Sequence, residues 1–176
     1  ISGSAYGRAA AKRGHLKPLG QWNTQVVTVR GSTVQVELNG ASILDADLSR
    51  VGDFMFNEPH PGKDRTSGHF GITNVNAPVE YRSIEIREIA AGSAFPLASK
   101  SASTATSRRL FFNDFSNPNS GFGSDVVSMG RGNRPMRRGY EDGHYFIEAP
   151  ERWAGASAWD CTPHLVVPGG IEVEAV

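Results

Sequence analysis

The stretch HPGKDRTSGH, which begins at His60 and ends at His69, concentrates side chains suited to directed hydrogen bonding. It combines two imidazoles with the carboxylate of Asp64 and the guanidinium of Arg65. Together these groups offer donors and acceptors to the hydroxyls of a polyhydroxylated ligand. The surrounding residues 49–68 are rich in Gly and Pro, which predicts a long loop of the kind that often carries function. The alternatives are a solvated loop without a ligand and a disordered insertion.

Trp22 is an aromatic residue that could stack on such a ligand, since the C–H groups of a pyranose face pack well on an indole. It stands just before a strand pattern that starts at Gln25. The alternative is that the indole plugs one end of the hydrophobic core. The sequence leaves both interpretations open.

Asp45 and Asp47 lie two residues apart on a predicted strand, so they project from one face. Such a pair could act as acid and base on a glycoside or ligate calcium. The alternative is two exposed carboxylates on a solvated face.

Metal and cofactor chemistry finds little support in the sequence. The five histidines are scattered, without the i, i+2 or i, i+4 spacing of a local metal site. Cys161 is the single cysteine, which excludes an intramolecular disulfide and a cysteine-based zinc site. No phosphate loop, dinucleotide fingerprint or nucleophile elbow is present. We therefore expect no metal and no cofactor.

The charge pattern gives no reason to expect a nucleic acid as partner. Eighteen Lys and Arg balance eighteen Asp and Glu. One basic cluster, GRGNRPMRRG, is interrupted by Gly and Pro and lacks interleaved aromatic residues, which predicts a solvated loop; it contains Arg131, Arg134, Arg137 and Arg138. No apolar run of 18 residues exists, so no membrane-spanning segment is expected.

The pattern of the first ninety residues is that of strands. QVVTVR and TVQVEL read as a hairpin, because they alternate around the Gly31-Ser32 turn. Asn39-Gly40 suits a type I′ turn and leads into a third strand, ASILDADL. HFGITNV and VEYRSIEIREI continue the pattern, and a slip in the period near Ser83 predicts a β-bulge.

A change of composition divides the chain. Residues 91–107 are small and polar and read as a linker between residues 1–90 and residues 108–176. The later segment offers a strand in RRLFFNDF, turn residues in SNPNSGFG, and a turn and strand in GYEDGHYFIEAP. Helical periodicity is almost absent, so the predicted fold class is an all-β antiparallel sandwich.

Four motifs in the first segment, GQWN, VELNG, RTSGHFG and VEYRSIEIRE, together resemble the 3-keto-disaccharide hydrolase family over residues 1–89. That family is also described as a domain of unknown function or as similar to family 16 glycoside hydrolases. The resemblance implies a concanavalin-like jelly roll of two antiparallel sheets, typical of proteins that bind or cut carbohydrate. Residues 1–90 would form the C-terminal half of such a sandwich.

The later segment, from Leu110 to Val176, resembles the opening strands of a second concanavalin or laminin-G-like sandwich. Asn113 and Asp114 stand there for the acidic pair that such a start usually carries. Two half-sandwiches would each leave an unpaired sheet edge and half a core. We therefore hypothesise that the halves pack together as one composite, circularly permuted sandwich.

Two functions follow from the residues and the resemblance. The first is a carbohydrate-binding or carbohydrate-hydrolysing sandwich, in which Trp22 stacks on the sugar and three polar residues fix its hydroxyls, namely His60, Arg65 and His69. The alternative is a non-catalytic sensor or adhesion module of a large bacterial surface or signalling protein, for example one attached to a Ser/Thr kinase. Relatives commonly carry a histidine near the position of Val75, and its absence favours this alternative.

The partner predicted for the first function is a carbohydrate or glycoside, and a protein partner could act through the rest of a parent chain. Both functions suit an extracytoplasmic location, in the periplasm or at the cell surface. The chain starts at Ile1 without a Met and stops within the alternating run GIEVEAV, so we expect it to be a fragment of a longer protein. Whether the parent is an enzyme is left open.

Overall fold

The structure is a computed structural model, and it describes most of the chain in eight stretches. These are residues 3–52, 67–75, 78–90, 108–129, 134–148, 155–158, 165–166 and 171–176. Within them the chain folds into strands and one short 3-10 helix, Leu48–Arg50. None of the described residues belongs to a helix long and apolar enough to cross a bilayer.

The strands are numbered in chain order. They are β1 (Gln25–Arg30), β2 (Thr33–Leu38), β3 (Ala41–Asp47), β4 (Ser67–Gly68), β5 (Ile72–Val75), β6 (Val79–Tyr81), β7 (Ile84–Glu88), β8 (Arg108–Asn113), β9 (Asp125–Met129), β10 (Arg134–Glu141), β11 (His144–Glu148), β12 (Gly155–Ala158), β13 (Leu165–Val166) and β14 (Ile171–Ala175).

These strands form four sheets in which early and late parts of the chain are interleaved. The largest sheet has the order β3-β2-β1-β14-β7-β8, and the second has the order β6-β11-β10-β9. β14 pairs antiparallel with β1, and β11 pairs antiparallel with β6. The two small sheets also join an early strand to a late one, as β12-β5 and β13-β4. The predicted all-β antiparallel class is confirmed, and the pairings are those expected of a composite of two halves.

Compact units in the structure do not coincide with the two sequence segments. One unit combines Ile1–Thr66, Glu85–Phe111 and Val166–Val176, and the other combines Ser67–Ile84 with Phe112–Leu165. Each unit thus takes strands from both sides of the predicted linker. The linker itself, residues 91–107, lies outside the described residues, and the predicted domain boundaries stay a prediction.

The first unit is built on the predicted meander. β1 pairs with β2, and β2 with β3. The β2–β3 turn has Asn39 and Gly40 at φ 53° and 82°, as a type I′ turn requires. The pairing of β2 with β3 shifts between Val36 and Glu37. This irregularity explains why the successive residues Ile43 and Leu44 are both buried.

One buried cluster of this unit lies under the meander. Its buried members come from the N-terminal segment, β2 and β3, and they are Ala11, Val36, Leu38, Ile43 and Leu44. Their burial removes apolar surface from water and is the main stabilising contribution of the meander.

The predicted bulge near Ser83 is wrong. β6 ends at Tyr81 and belongs to the four-stranded sheet, whereas β7 starts at Ile84 and belongs to the six-stranded sheet. The change of period therefore marks a passage between sheets. Ile84 and Ile86 are both fully buried, which gives β7 its own burial pattern after the break.

The second unit centres on the β10–β11 hairpin, which turns at Asp142 and Gly143 with φ of 49° and 75°. The prediction of a solvated loop over the arginine cluster is wrong where the structure describes it, because Arg134 opens β10 and the strand runs to Glu141. Three arginines and a proline hide the strand period of β10 in the sequence. Pairing with β9 and β11 on either side holds the segment extended.

Candidate functional site

Trp22 lies in the loop that leads into β1, and the backbone around it is held in place. Lys17 Nζ donates to the carbonyl oxygen of Trp22 at 2.8 Å. Asn23 Nδ2 donates to the carbonyl oxygen of Gln21 at 3.1 Å. The indole is half-buried, so part of its surface packs on the protein and part faces outward. A ring on a fixed backbone can stack on a ligand with little further loss of conformational freedom.

The GQWN and VELNG motifs meet in one cluster of hydrogen bonds, which we call the hairpin end; it comprises His15, Lys17, Asn23, Thr24 and Asn39. Asn39 Nδ2 donates to Asn23 Oδ1 and to the carbonyl oxygen of His15, each at 2.8 Å. Asn39 Oδ1 accepts from the amide of Thr24 at 3.0 Å. Asn23 Oδ1 also accepts from the amide of Lys17 at 2.9 Å. Both asparagine side chains therefore hold the loop on the hairpin.

Sequence reasoning assigned Asn39 to its turn and missed this second role. The signal was available, since both motifs contain an asparagine. A short amide side chain at a strand end commonly bonds the backbone nearby. The spacing of the two motifs in the sequence does not predict which strand end the Asn39 side chain will contact.

Of the polar residues predicted to bind a ligand, the described part of the chain contains His69. It is exposed and directly follows β4. Trp22 belongs to the first compact unit and His69 to the second. His60 and Arg65 lie outside the described residues. Their part in ligand binding stays a prediction.

Asp47 serves as a cap, so its carboxylate has a structural role, which argues against an acid and base pair with Asp45. Its Oδ1 accepts from Ser32 Oγ at 2.8 Å, and from the amide and hydroxyl of Ser49 at 3.0 and 2.6 Å. These bonds, above all the one from the Ser49 hydroxyl, lower the pKa of Asp47, and Arg50 adds an ion pair at 3.2 Å. A carboxylate held ionised in this way is a poor proton donor near neutral pH. Nowhere in the described residues do three or more His, Cys, Asp or Glu come together as a metal site.

The four-stranded sheet carries an open groove of about 420 Å³ on one of its faces. Tyr145 and Ile147 of β11 are fully buried, so they mark the core face. Phe146 lies between them in sequence, is half-buried and projects from the other face. The groove is lined by Ser124, Arg137, Arg138, Gly139, Tyr140, Glu141 and Phe146.

We call the side chains of this second face the groove face; it comprises Arg137, Gly139 and Glu141 of β10 with Phe146 and Glu148 of β11. Arg137 pairs across the strands with Glu148, and Gly139 with Phe146. The Arg137 guanidinium lies 5.4 Å from the Phe146 ring centroid, and Nη1 is 3.2 Å from a Glu148 carboxylate oxygen. Gly139, which has no side chain, is therefore surrounded by the ring, the guanidinium and the two carboxylates of the groove face.

On the core face, two tyrosine hydroxyls fix the rim of the groove. Tyr140 Oη accepts from the amide of Phe122 at 3.1 Å and donates to the carbonyl oxygen of the same residue at 3.0 Å. Tyr145 Oη donates to the carbonyl oxygen of Gly123 at 2.9 Å. Ser124 follows directly and lines the groove. The rim is thus tied to the sheet by its backbone.

Asn113 and Asp114, which stand for an acidic pair in the second resemblance, have structural roles. Asn113 is buried, and its Oδ1 accepts from the amide of Phe115 while its Nδ2 donates to Ser120 Oγ, both at 2.8 Å. Asp114 Oδ1 accepts from the hydroxyl of Ser116 at 2.7 Å and from its amide at 3.1 Å, which lowers the Asp114 pKa. Both side chains shape the loop after β8.

Comparison with known protein families agrees with the motifs at the hairpin end. Residues 1–87 match the family model described as the 3-keto-alpha-glucoside-1,2-lyase-like domain. Residues 1–87 are thus similar to this family. The resemblance predicted from the motifs is confirmed over that stretch. No curated protein and no solved structure matches the chain.

The lyase-like segment contributes β1 to β6 and most of β7. Its strands complete their sheets by pairing with β11, β12, β13 and β14, which follow it in the chain. The residues that line the groove come from 124–146, beyond the matched stretch. The resemblance to a second sandwich over residues 110–176 stays a prediction.

Proposed function

We propose that this protein binds carbohydrate of the alpha-glucoside or 3-keto-alpha-glucoside class through its lyase-like segment. The observation that carries the proposal is the match of residues 1–87 to that family. Trp22 is the stacking ring, and hydrogen bonds from His60, Arg65 and His69 to sugar hydroxyls stay a prediction from the sequence. Imidazole and guanidinium groups suit this role because they present directed N–H donors.

The local structure around Trp22 supports a binding role. Lys17 and Asn23 fix the backbone on both sides of the indole, so the ring needs little ordering when a sugar docks. Stacking on an indole is also tolerant of small differences between sugars, since it uses the C–H face of the ring.

Binding is a better fit than cleavage for the described residues of the segment. Cleavage of a glycosidic bond by a glycosidase takes two positioned carboxylates, one of which must carry a proton. Asp47 is occupied as a cap with a lowered pKa. The proposal therefore assigns Asp47 no role as a proton donor and gives the segment a ligand-binding role.

The test is a calorimetric titration of the protein with methyl α-glucopyranoside and with its 3-keto derivative. We expect Trp22→Ala to weaken binding about tenfold, which corresponds to about 1.4 kcal/mol. Trp22→Phe keeps an aromatic face and should retain most of the affinity. Thermal unfolding of each variant shows whether the fold is kept.

Failure of both sugars to bind the unmodified protein would overturn the proposed function. Full affinity in a folded Trp22→Ala variant would remove Trp22 from the site. Release of product from either sugar, followed by proton NMR, would contradict the assignment of binding without cleavage.

A further inference from the structure

We propose that the groove face is a second carbohydrate site, in which a neutral pyranose ring stacks on Phe146 with Arg137 and Glu141 on either side. The groove lies outside the stretch that matches the lyase-like family. The sugar class of its ligand rests on the proposed function, whereas its place on the sheet rests on geometry alone.

The glycine at the centre of the groove is required for space. Gly139 lies inside β10, and its φ is not in the left-handed region, so the backbone there does not demand glycine. A Cβ at this position would lie 2.8 Å from Ser124 Oγ and 3.5 Å from two carbons of the Phe146 ring. Glycine within a strand weakens the strand and commonly marks the close approach of another group. Gly139 is buried, and the bare glycine lets the Ser124 side chain and the Phe146 ring lie against β10 at this position.

Phe146 is the residue of β11 that lines the groove, and it offers an aromatic side chain there. Its partner across the strands is Gly139, so no opposing side chain on β10 covers it. The Arg137 guanidinium lies near the ring at 5.4 Å, where cation–π attraction orients it. A half-exposed ring of this kind offers an apolar platform to the C–H face of a sugar.

The charges around the ring favour a neutral ligand with many hydroxyls. Arg137 is already neutralised in part by Glu148 at 3.2 Å. Glu141 is exposed two residues beyond Gly139 and adds a further acceptor. Together the groups donate and accept hydrogen bonds without a strong net charge, which suits hydroxyls better than a carboxylate or phosphate.

The size of the groove and the rigidity of its rim also suit a bound sugar. A groove of about 420 Å³ falls within the range of about 300–1,000 Å³ seen for small-molecule sites. The rim at Ser124 follows the two backbone positions that Tyr140 and Tyr145 hold from the core face. A ligand would therefore meet a surface that is already ordered.

The experiment is a titration of the isotope-labelled protein with methyl α-glucopyranoside and, separately, with methyl glucuronide, followed by NMR. We expect the glucoside to shift the backbone amides of Gly139 and Glu141 and the Arg137 Nε–H signal. Phe146→Ala should weaken this response at least tenfold, and Phe146→Tyr should restore it. Phe112→Ala, which removes an exposed phenylalanine outside the groove, is the matched control and should leave the response unchanged.

A second pair of variants tests how Phe146 is seated on β10. Ser124→Ala/Gly139→Val removes the oxygen that a new Cβ would meet but places a branched side chain against the Phe146 ring, so it should displace the ring and abolish the response. Gly52→Val adds the same side chain where nothing lies within 4 Å and should have no effect.

The two sites are told apart by which variants matter. If the glucoside binds in a way that depends on Trp22 but does not shift the groove signals, this inference is overturned and the proposed function stands. A groove response that survives Trp22→Ala supports the inference whatever happens at the hairpin end. Unchanged Gly139 signals on addition of the glucoside, full affinity in Phe146→Ala, or tighter binding of the glucuronide would each overturn it.

Discussion

The hairpin end and the groove face each bring polar side chains from separate strands together, but they use them differently. At the hairpin end, the amides of Asn23 and Asn39 are bonded to each other and to backbone groups. At the groove face, Arg137 and Glu141 are exposed beside a half-buried ring that lies against Gly139. The two asparagines of the family motifs thus build the fold, while the proposed groove site lies outside the stretch that matches the family model.

The largest expected effect tests whether the hairpin end is structural. Asn39→Ala leaves the amide of Thr24 without its side-chain acceptor and places alanine at φ 53°. We expect a loss of about 2–4 kcal/mol in the free energy of unfolding, measured by urea denaturation. Asn39→Gly accepts the positive φ and should recover about 1 kcal/mol of that loss. A change below 0.5 kcal/mol, which we take as roughly the size of ordinary surface effects, would break the comparison.

The next effect concerns the rim of the groove. Tyr140→Phe removes the hydroxyl that bonds both the amide and the carbonyl oxygen of Phe122, so we expect a loss of about 1–3 kcal/mol. Hydrogen exchange at the Phe122 amide should quicken. Tyr145→Phe loses one bond to the carbonyl oxygen of Gly123 and should cost about 1 kcal/mol. A loss below about 0.5 kcal/mol in Tyr140→Phe would show that the rim is not held as described.

A smaller effect appears in the pH dependence of stability. Asp47 has a pKa below its ordinary value of 3.8 in the folded protein, so its ionised form stabilises the fold. That contribution is complete well above pH 3.8 and is lost as the pH falls through the lower folded-state pKa. Asp47→Asn should therefore be less stable than the unmodified protein at pH 7, and the gap should close on acidification. Midpoints of urea unfolding across this range would show it, and a gap independent of pH would contradict the cap.

The smallest effect belongs to the ion pair of Arg137 and Glu148. Both side chains are well exposed, at 62% and 45%, so a double-mutant cycle should give a coupling of about 0–0.5 kcal/mol that shrinks with added salt. Such a weak pair leaves the guanidinium available to a ligand at little cost. A coupling well above 1 kcal/mol would mean that these charges serve the fold, as the amides of the hairpin end do.

Local signals in the sequence predicted much of the fold correctly. The alternation of TVQVEL and the Asn39-Gly40 turn gave the meander, because both depend on neighbouring residues alone. The same signals failed near Ser83, where a change of period meant a change of sheet. They failed again over β10, where arginines concealed a strand that pairing on both sides keeps extended.

The candidate sites show the same division. Trp22 and His69 stand out in the sequence by residue type. The contacts and strands that surround them are decided by the tertiary structure. Gly139 and Phe146 gave no such signal, because the segment that contains Gly139 read as a loop. They form a groove because antiparallel pairing sets them directly across from each other.

By itself the sequence determined the all-β class, the turns and the family resemblance of residues 1–87, because alternation, turn chemistry and motif spacing are properties of short stretches of chain. Tertiary structure alone decided that β14 pairs with β1 and β11 with β6, and which face of β11 stays open. The physical reason is that a strand pattern specifies a face to bury but carries no information on its partner. That partner is chosen by the burial and hydrogen bonding of the whole chain.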